Sequence, residues 1–74
     1  MKKSLIKFIK EDNEKKGHTH VKISEISIKK TINGYNAFAT ISFKWYVNGW
    51  ENKARLKSAL FIYKDNKWIS HIPY

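Results

Sequence analysis

Residues 43–57 read FKWYVNGWENKARLK, and the Asn48-Gly49 pair at their centre decides how the rest of the chain is arranged. Asn-Gly is a strong hairpin signal, because a two-residue type I′ turn needs positive φ at both central positions. With these two residues as the turn, Val47 faces Trp50 and every other pairing follows. Side chains alternate across a strand. Trp45, Phe43, Ile41, Ala39, Ala37 and Tyr35 therefore share one face with Ala54, Leu56, Leu60 and Ile62, and Val47 and Trp50 end the row. The opposite face pairs Tyr46 with Glu51, Lys44 with Lys53, Ser42 with Arg55 and Thr40 with Lys57.

Working outward, Asn33-Gly34 repeats the turn signal, so one strand covers 35–47 and the preceding one about 18–32. In that earlier strand Val21 and Ile23 alternate, then Ile26 and Ile28 alternate on the other parity. A slip of one residue at Ser24-Glu25 is the mark of a β-bulge. A two-residue turn at Asn33-Gly34 would bring Ile32, Ile28 and Ile26 onto the apolar face. The third strand runs from Trp50 to Tyr63, and KDNK (64–67) turns the chain into a last strand, Trp68 to Ile72, ended by Pro73. A two-residue turn there puts Trp68 and Ile72 on the face of Tyr63, and a three-residue turn puts them on the other.

Residues 2–16 have helical spacing instead. Leu5, Ile6, Phe8 and Ile9 cover one broad face, Ser4 is the expected N-cap, Gly17 the expected stop, and EDNEKK (11–16) should leave the core. The fold class is α+β, with one N-terminal helix packed on a four-stranded antiparallel meander, in a single domain over 1–74. The YKDNKWISHI hairpin (63–72), with Trp68-Ile69-Ser70-His71 in it, resembles the last hairpin of cystatin-like and nuclear-transport-factor-like folds. That resemblance implies topology alone, since such folds host many activities.

Composition limits the rest. The chain has 74 residues, no cysteine, and 15 Lys plus Arg against six Asp plus Glu, a formal charge of +9. A domain this small buries little of its chain surface and gains nothing from disulfides, which leaves self-association as a common reinforcement. The charge favours nucleic acid, anionic lipid or an acidic protein surface. All the cations but Arg55 are lysine, which suits charge attraction better than bidentate base reading. Lys7 and Lys10 interrupt the apolar residues of the N-terminus, so neither a signal peptide nor a membrane span is expected. The expected location is the cytoplasm, and no membrane partner is expected.

The outward face of the sheet carries the candidate site. Lys44 opposite Lys53 is a repulsive pair, which a face meant only for water usually avoids. Lys29, Lys44, Lys53, Arg55 and Lys57, with Tyr46 beside them, form an electropositive platform; the plainer reading is a solvated face whose lysines discourage edge-to-edge pairing. Farther along, Phe38, Ala59, Phe61 and Tyr63 should make an uncovered aromatic patch, the mark of a protein contact. Self-association through this patch is the first expectation and a second macromolecule the next.

No catalytic constellation is present in the sequence. His18 and His20 could both ligate a metal, but only His71 could join them and no cysteine is available. Ser70 and His71 are strand neighbours and point apart, which is unsuited to nucleophilic catalysis. We expect no enzyme, no cofactor and no metal.

In size, Lys/Ile/Asn-rich composition and free basic and aromatic face, the chain resembles the small early proteins of Gram-positive phages. These disable replication, transcription or defence machinery, and one such staphylococcal-phage protein inhibits the bacterial DNA sliding clamp. KSALF (57–61) is similar to clamp-binding peptides in its Leu60-Phe61 ending; Lys57 stands where those peptides have Gln, and Ser58 where they have Leu. The resemblance implies a non-catalytic inhibitor in a host bacterial cytoplasm, acting on a host protein of DNA metabolism such as the clamp. The alternative is a nucleic-acid-binding module that uses the basic face.

Overall fold

Val47 pairs with Trp50 across the Asn48-Gly49 turn, and Trp45–Asn52, Lys44–Lys53, Phe43–Ala54, Ser42–Arg55 and Ile41–Leu56 follow in register. Asn48 and Gly49 have φ of 50° and 83°, the conformation that makes Asn-Gly fit this turn. The computed structural model describes residues 1–71. Its elements are α1 (Lys2–Lys15), β1 (Thr19–Lys30), β2 (Gly34–Val47), β3 (Trp50–Lys64) and β4 (Lys67–Ser70). The strands form one antiparallel sheet in the order β1-β2-β3-β4, so the chain is α+β as expected. Ile72 and Pro73, read as the end of the last strand, lie outside the described residues.

Two bulges face each other across β2. In β1 the pairing slips between Ser24–Thr40 and Ser27–Phe38, where the sequence shows its change of parity. In β3 it slips between Ile41–Leu56 and Ala39–Ala59, which the sequence reading did not contain. Glu25 and Ser58 take φ of 52° and 54° at these slips, a region that costs a non-glycine residue energy. Thr40 sits between them, 5% exposed, and donates a 2.9 Å hydrogen bond to Glu25 Oε2. It therefore does not pair outward with Lys57.

The second bulge reverses the faces of the rest of β3. Ala59 and Phe61 enter the core at 4% and 0% exposure, while Leu60 and Ile62 turn to the outer side. The outward orientation expected of Ala59, Phe61 and Tyr63 is thus corrected for all three by the extra residue at Lys57-Ser58. Phe61 meets Phe8 edge-on, with centroids 6.1 Å apart, and Tyr63 packs between Tyr35 and Trp68. Asp65 and Asn66, both at positive φ, make a two-residue turn that pairs Lys64 with Lys67. Trp68 thus shares the face of Tyr63, which is now the inner one, and is buried.

At the other hairpin the reversal lies one residue earlier than expected. Lys30 pairs with Tyr35, and Thr31 N–H donates to Gly34 O at 2.8 Å, so Ile32 and Asn33 form the tip. Ile32 is 99% exposed instead of joining the core. The register moves by two, so Ile28 keeps its inward side, opposite Ala37. Gly34 serves a different need: a Cβ there would run into the backbone carbonyl of Tyr63.

α1 begins at Lys2 with Met1 as its cap residue, so Ser4 is not the N-cap. Ser4 lies in the first turn, where its hydroxyl donates to Met1 O and accepts from Trp68 Nε1 at 3.0 Å. Leu5 and Ile9 are fully buried over Ala37, Ala39 and Ala59, whose short side chains leave room for the helix. The polar end of α1 leaves the core as expected at Glu11, Glu14, Lys15 and Lys16, but Asn13 is an exception. Asn13 is fully buried, donates to Ile9 O at 2.8 Å, and meets His18 Nδ1 at 2.7 Å through its Oδ1.

Candidate functional site

β1 begins opposite Lys44, and the hairpin of β2 and β3 continues past it to Asn48-Gly49. His18, stacked on Phe43, marks the end of the cover supplied from the helix side. Beyond this level the hairpin is an arm without a second layer. Trp50 is therefore 76% exposed and Val47 52%, where the pleat alone suggested that they end the buried row. Trp45 is intermediate, half-buried against Phe43 and His18. Phe43 itself is 4% exposed and belongs to the core as expected.

The cations lie on the outer side of the sheet at the base of the arm. Thr19–Lys44–Lys53 form one row across three strands and Lys22–Ser42–Arg55 the next. His20, Lys22, Ser42, Lys44, Lys53 and Arg55, together with Phe43 and Ala54, line an open recess of about 400 Å³. His20 takes φ of 53° at a further register slip, between Thr19 and Lys22, which interrupts the even pairing of the β1 edge. The repulsion of Lys44 and Lys53 is partly offset from the next row. Glu51 Oε1 lies 3.3 Å from Lys44 Nζ and accepts a 3.2 Å hydrogen bond from the Tyr46 hydroxyl. Those two bonds, the one from Lys44 first, hold the Glu51 carboxyl below its ordinary value.

Four of the expected site residues thus come together on the outer side at the arm and its base: Lys44, Tyr46, Lys53 and Arg55. Lys29 is exposed at the far end of the sheet, opposite Asn36, and Lys57 is exposed beside the β3 bulge. Phe38 does face outward, half-buried, but its neighbours are Leu60 across the strand and then Ile62 and Ile69, not Phe61 and Tyr63. Leu60 and Phe61 point to opposite faces and Phe61 is inaccessible, so KSALF is not displayed as a clamp-type peptide. The sequence reading missed His20, Lys22 and the exposure of Trp50 and Val47. Lys22 could have been found by carrying the alternation of Val21 and Ile23 to its opposite face.

Chemically the arm offers long flexible cations, one guanidinium and an apolar tip, suited to holding an anionic or mixed surface. Among the described residues no three His, Asp or Glu side chains gather to hold a metal ion. No helix among them is long and apolar enough to cross a membrane. No family model matches this chain, and no curated protein or solved structure matches it either.

Proposed function

We propose that this chain is a non-catalytic binding module that uses the β2–β3 arm to occupy a site on an acidic macromolecular surface. The candidate partner is a host protein of DNA metabolism, the bacterial sliding clamp being the one implied by the likeness to small phage inhibitors. The observation that carries the reading is the make-up of the hairpin end: Trp50 and Val47 are exposed on its inner face, and Tyr46 stands beside Lys44, Lys53 and Arg55 on its outer face. A hairpin end with an exposed Trp on one face and cations on the other has the composition of an interface hot spot, where aromatic anchors hold and charges steer the encounter. Purified clamp should bind the chain stoichiometrically at about 0.15 M salt, where long-range attraction is already screened. Trp50→Ala should weaken the complex by at least about tenfold through faster dissociation, whereas Lys53→Glu with Arg55→Glu should mainly slow association.

One observation favours a second reading. Lys22, Lys44, Lys53 and Arg55 converge on a single recess with Tyr46 exposed on the same face, a combination of phosphate attraction and stacking that single-stranded nucleic acid would use. This reading requires steep salt dependence, with a log–log slope of about −0.7 for each single-strand phosphate neutralised. Binding to random oligonucleotides that survives physiological salt and disappears with Lys44→Glu plus Arg55→Glu would favour it over the protein partner.

A further inference from the structure

β4 covers only the last part of its neighbour: it pairs with Phe61 to Lys64, and His71 N–H adds one bond to Leu60 O. Between Trp50 and Leu56 the side of β3 away from β2 has no strand partner among the described residues. The ring and polar contacts made by α1 and the residues just after it reach β4, the far end of β3 and β2. They run from Ser4 on Trp68, through Phe8 on Phe61, to His18 on Phe43. An unpaired edge is a row of open N–H and C=O groups ready to accept another strand. Its two faces differ sharply. Lys53, Arg55 and Lys57 follow at every second residue on the outer side, and Ala54 and Leu56, partly buried against the core, lie on the inner side.

We propose that the free edge of β3, from Trp50 to Leu56, accepts an extended acidic segment of the partner as an added strand. The segment would alternate acidic and apolar residues, its carboxylates against Lys53 and Arg55 and its apolar side chains against Ala54 and Leu56. Main-chain bonds supply affinity in this mode of recognition and alternate side chains supply specificity. Charge selects the occupant. A second copy of the chain would pair antiparallel about a twofold axis, and every such register centred from Ala54 to Leu56 sets a cation of one copy opposite a cation of the other. That juxtaposition is unfavourable, whereas carboxylates opposite the same row are favourable.

The inference rests on the binding-module reading of the arm but is tested apart from it. The probe is a synthetic peptide of about eight residues alternating Asp and Val, long enough for a typical strand. Its binding to the full chain is followed by calorimetry, and amide exchange over residues 51–57 by NMR. The expected result is binding at about 0.15 M salt with exchange slowed at alternate amides of that stretch. Two controls should each weaken it by about tenfold or more: the same composition with Asp and Val in separate blocks, and the alternating peptide N-methylated on the bonding amides. Lys53→Glu with Arg55→Glu should abolish it, and wild-type chain with the N-methylated peptide covers the case in which that variant folds poorly.

Equal binding of the block peptide would overturn the proposal, because charge alone would then suffice. So would an absence of binding, or exchange that slows with chain concentration in the absence of peptide, which would make a second copy the occupant. Trp50→Ala separates this inference from the reading beneath it: loss of clamp binding with the peptide still bound leaves the edge site standing. Clamp binding without any peptide binding removes the edge site alone.

Discussion

The imidazole of His18 lies flat against the phenyl ring of Phe43, with centroids 4.1 Å apart and planes 8° from parallel. It joins the end of the helix to the centre of the sheet, since Asn13 Oδ1 lies 2.7 Å from His18 Nδ1. Asn13 uses its amide nitrogen on Ile9 O, so its oxygen faces the ring and the hydrogen-bond pattern assigns the His18 proton to Nδ1. Burial, then the charge of Lys16, pushes the His18 pKa down from 6.5, against a smaller opposing pull from Asp12. The folded state therefore binds this proton less readily than the unfolded chain does. The corresponding stability is present above the unfolded value of 6.5 and is lost as pH falls from there through the lowered folded pKa. Urea unfolding between neutral pH and about 5 should show this decline, and His18→Phe should flatten it.

Asn13→Ala should destabilise the fold although the residue lies in a polar run of the helix. The side chain is fully buried and bonded at both ends. Its removal leaves partners unpaired, at a cost of about 1–3 kcal/mol, readable as a lower urea midpoint.

Ser58 holds the bulge that turns Phe61 inward. At φ of 54° a β-branched side chain is strained, so Ser58→Val should cost about 1–2 kcal/mol. Ser58→Gly, which accepts that backbone freely, should leave stability equal or higher. Thermal melts should put Ser58→Val several degrees below Ser58→Gly, about the shift expected for such an energy in a small domain.

Two aromatic truncations should separate stability from binding. Phe61→Ala empties a fully buried site and should cost about 3–5 kcal/mol, a large share of what a domain of this size possesses. Trp50→Ala, at an exposed hairpin end, should change stability by no more than about 0.5 kcal/mol. Circular-dichroism melts distinguish them directly.

Gly34→Ala should be damaging for a reason of space. The added methyl would meet the backbone carbonyl of Tyr63, so β2 and β3 would have to part at their far end. A loss of about 1–3 kcal/mol is expected, with exchange of the neighbouring β2 and β3 amides raised more than that of the arm.

How much of this could be read beforehand varies with the signal. Asn48-Gly49 settled the arm, because its turn admits one register and alternation carried that register to Ile41. The β1 bulge was also readable, since Val21, Ile23, Ile26 and Ile28 display the change of parity. The β3 bulge was hidden: Ala59 to Tyr63 is an unbroken apolar run, in which period two has nothing to alternate with. That single gap reversed Ala59, Phe61 and Tyr63 and left only Phe38 of the expected contact patch on the outer face. The exposure of Trp50 was hidden for another reason. Pleat tells which face a residue is on, but cover depends on how far β1 and the helix reach, and both stop below the tip. Asn13 gave no sign of burial because its role depends on His18, whose place is set by the sheet.

The most direct test is calorimetric titration of purified bacterial sliding clamp with the wild-type chain, Trp50→Ala and Phe38→Ala at about 0.15 M salt. The arm-based account predicts saturable binding by the wild type, a loss of at least about tenfold for Trp50→Ala, and little change for Phe38→Ala on the far end of the outer face. Absence of wild-type binding, or binding that survives Trp50→Ala and disappears with Phe38→Ala, would contradict it.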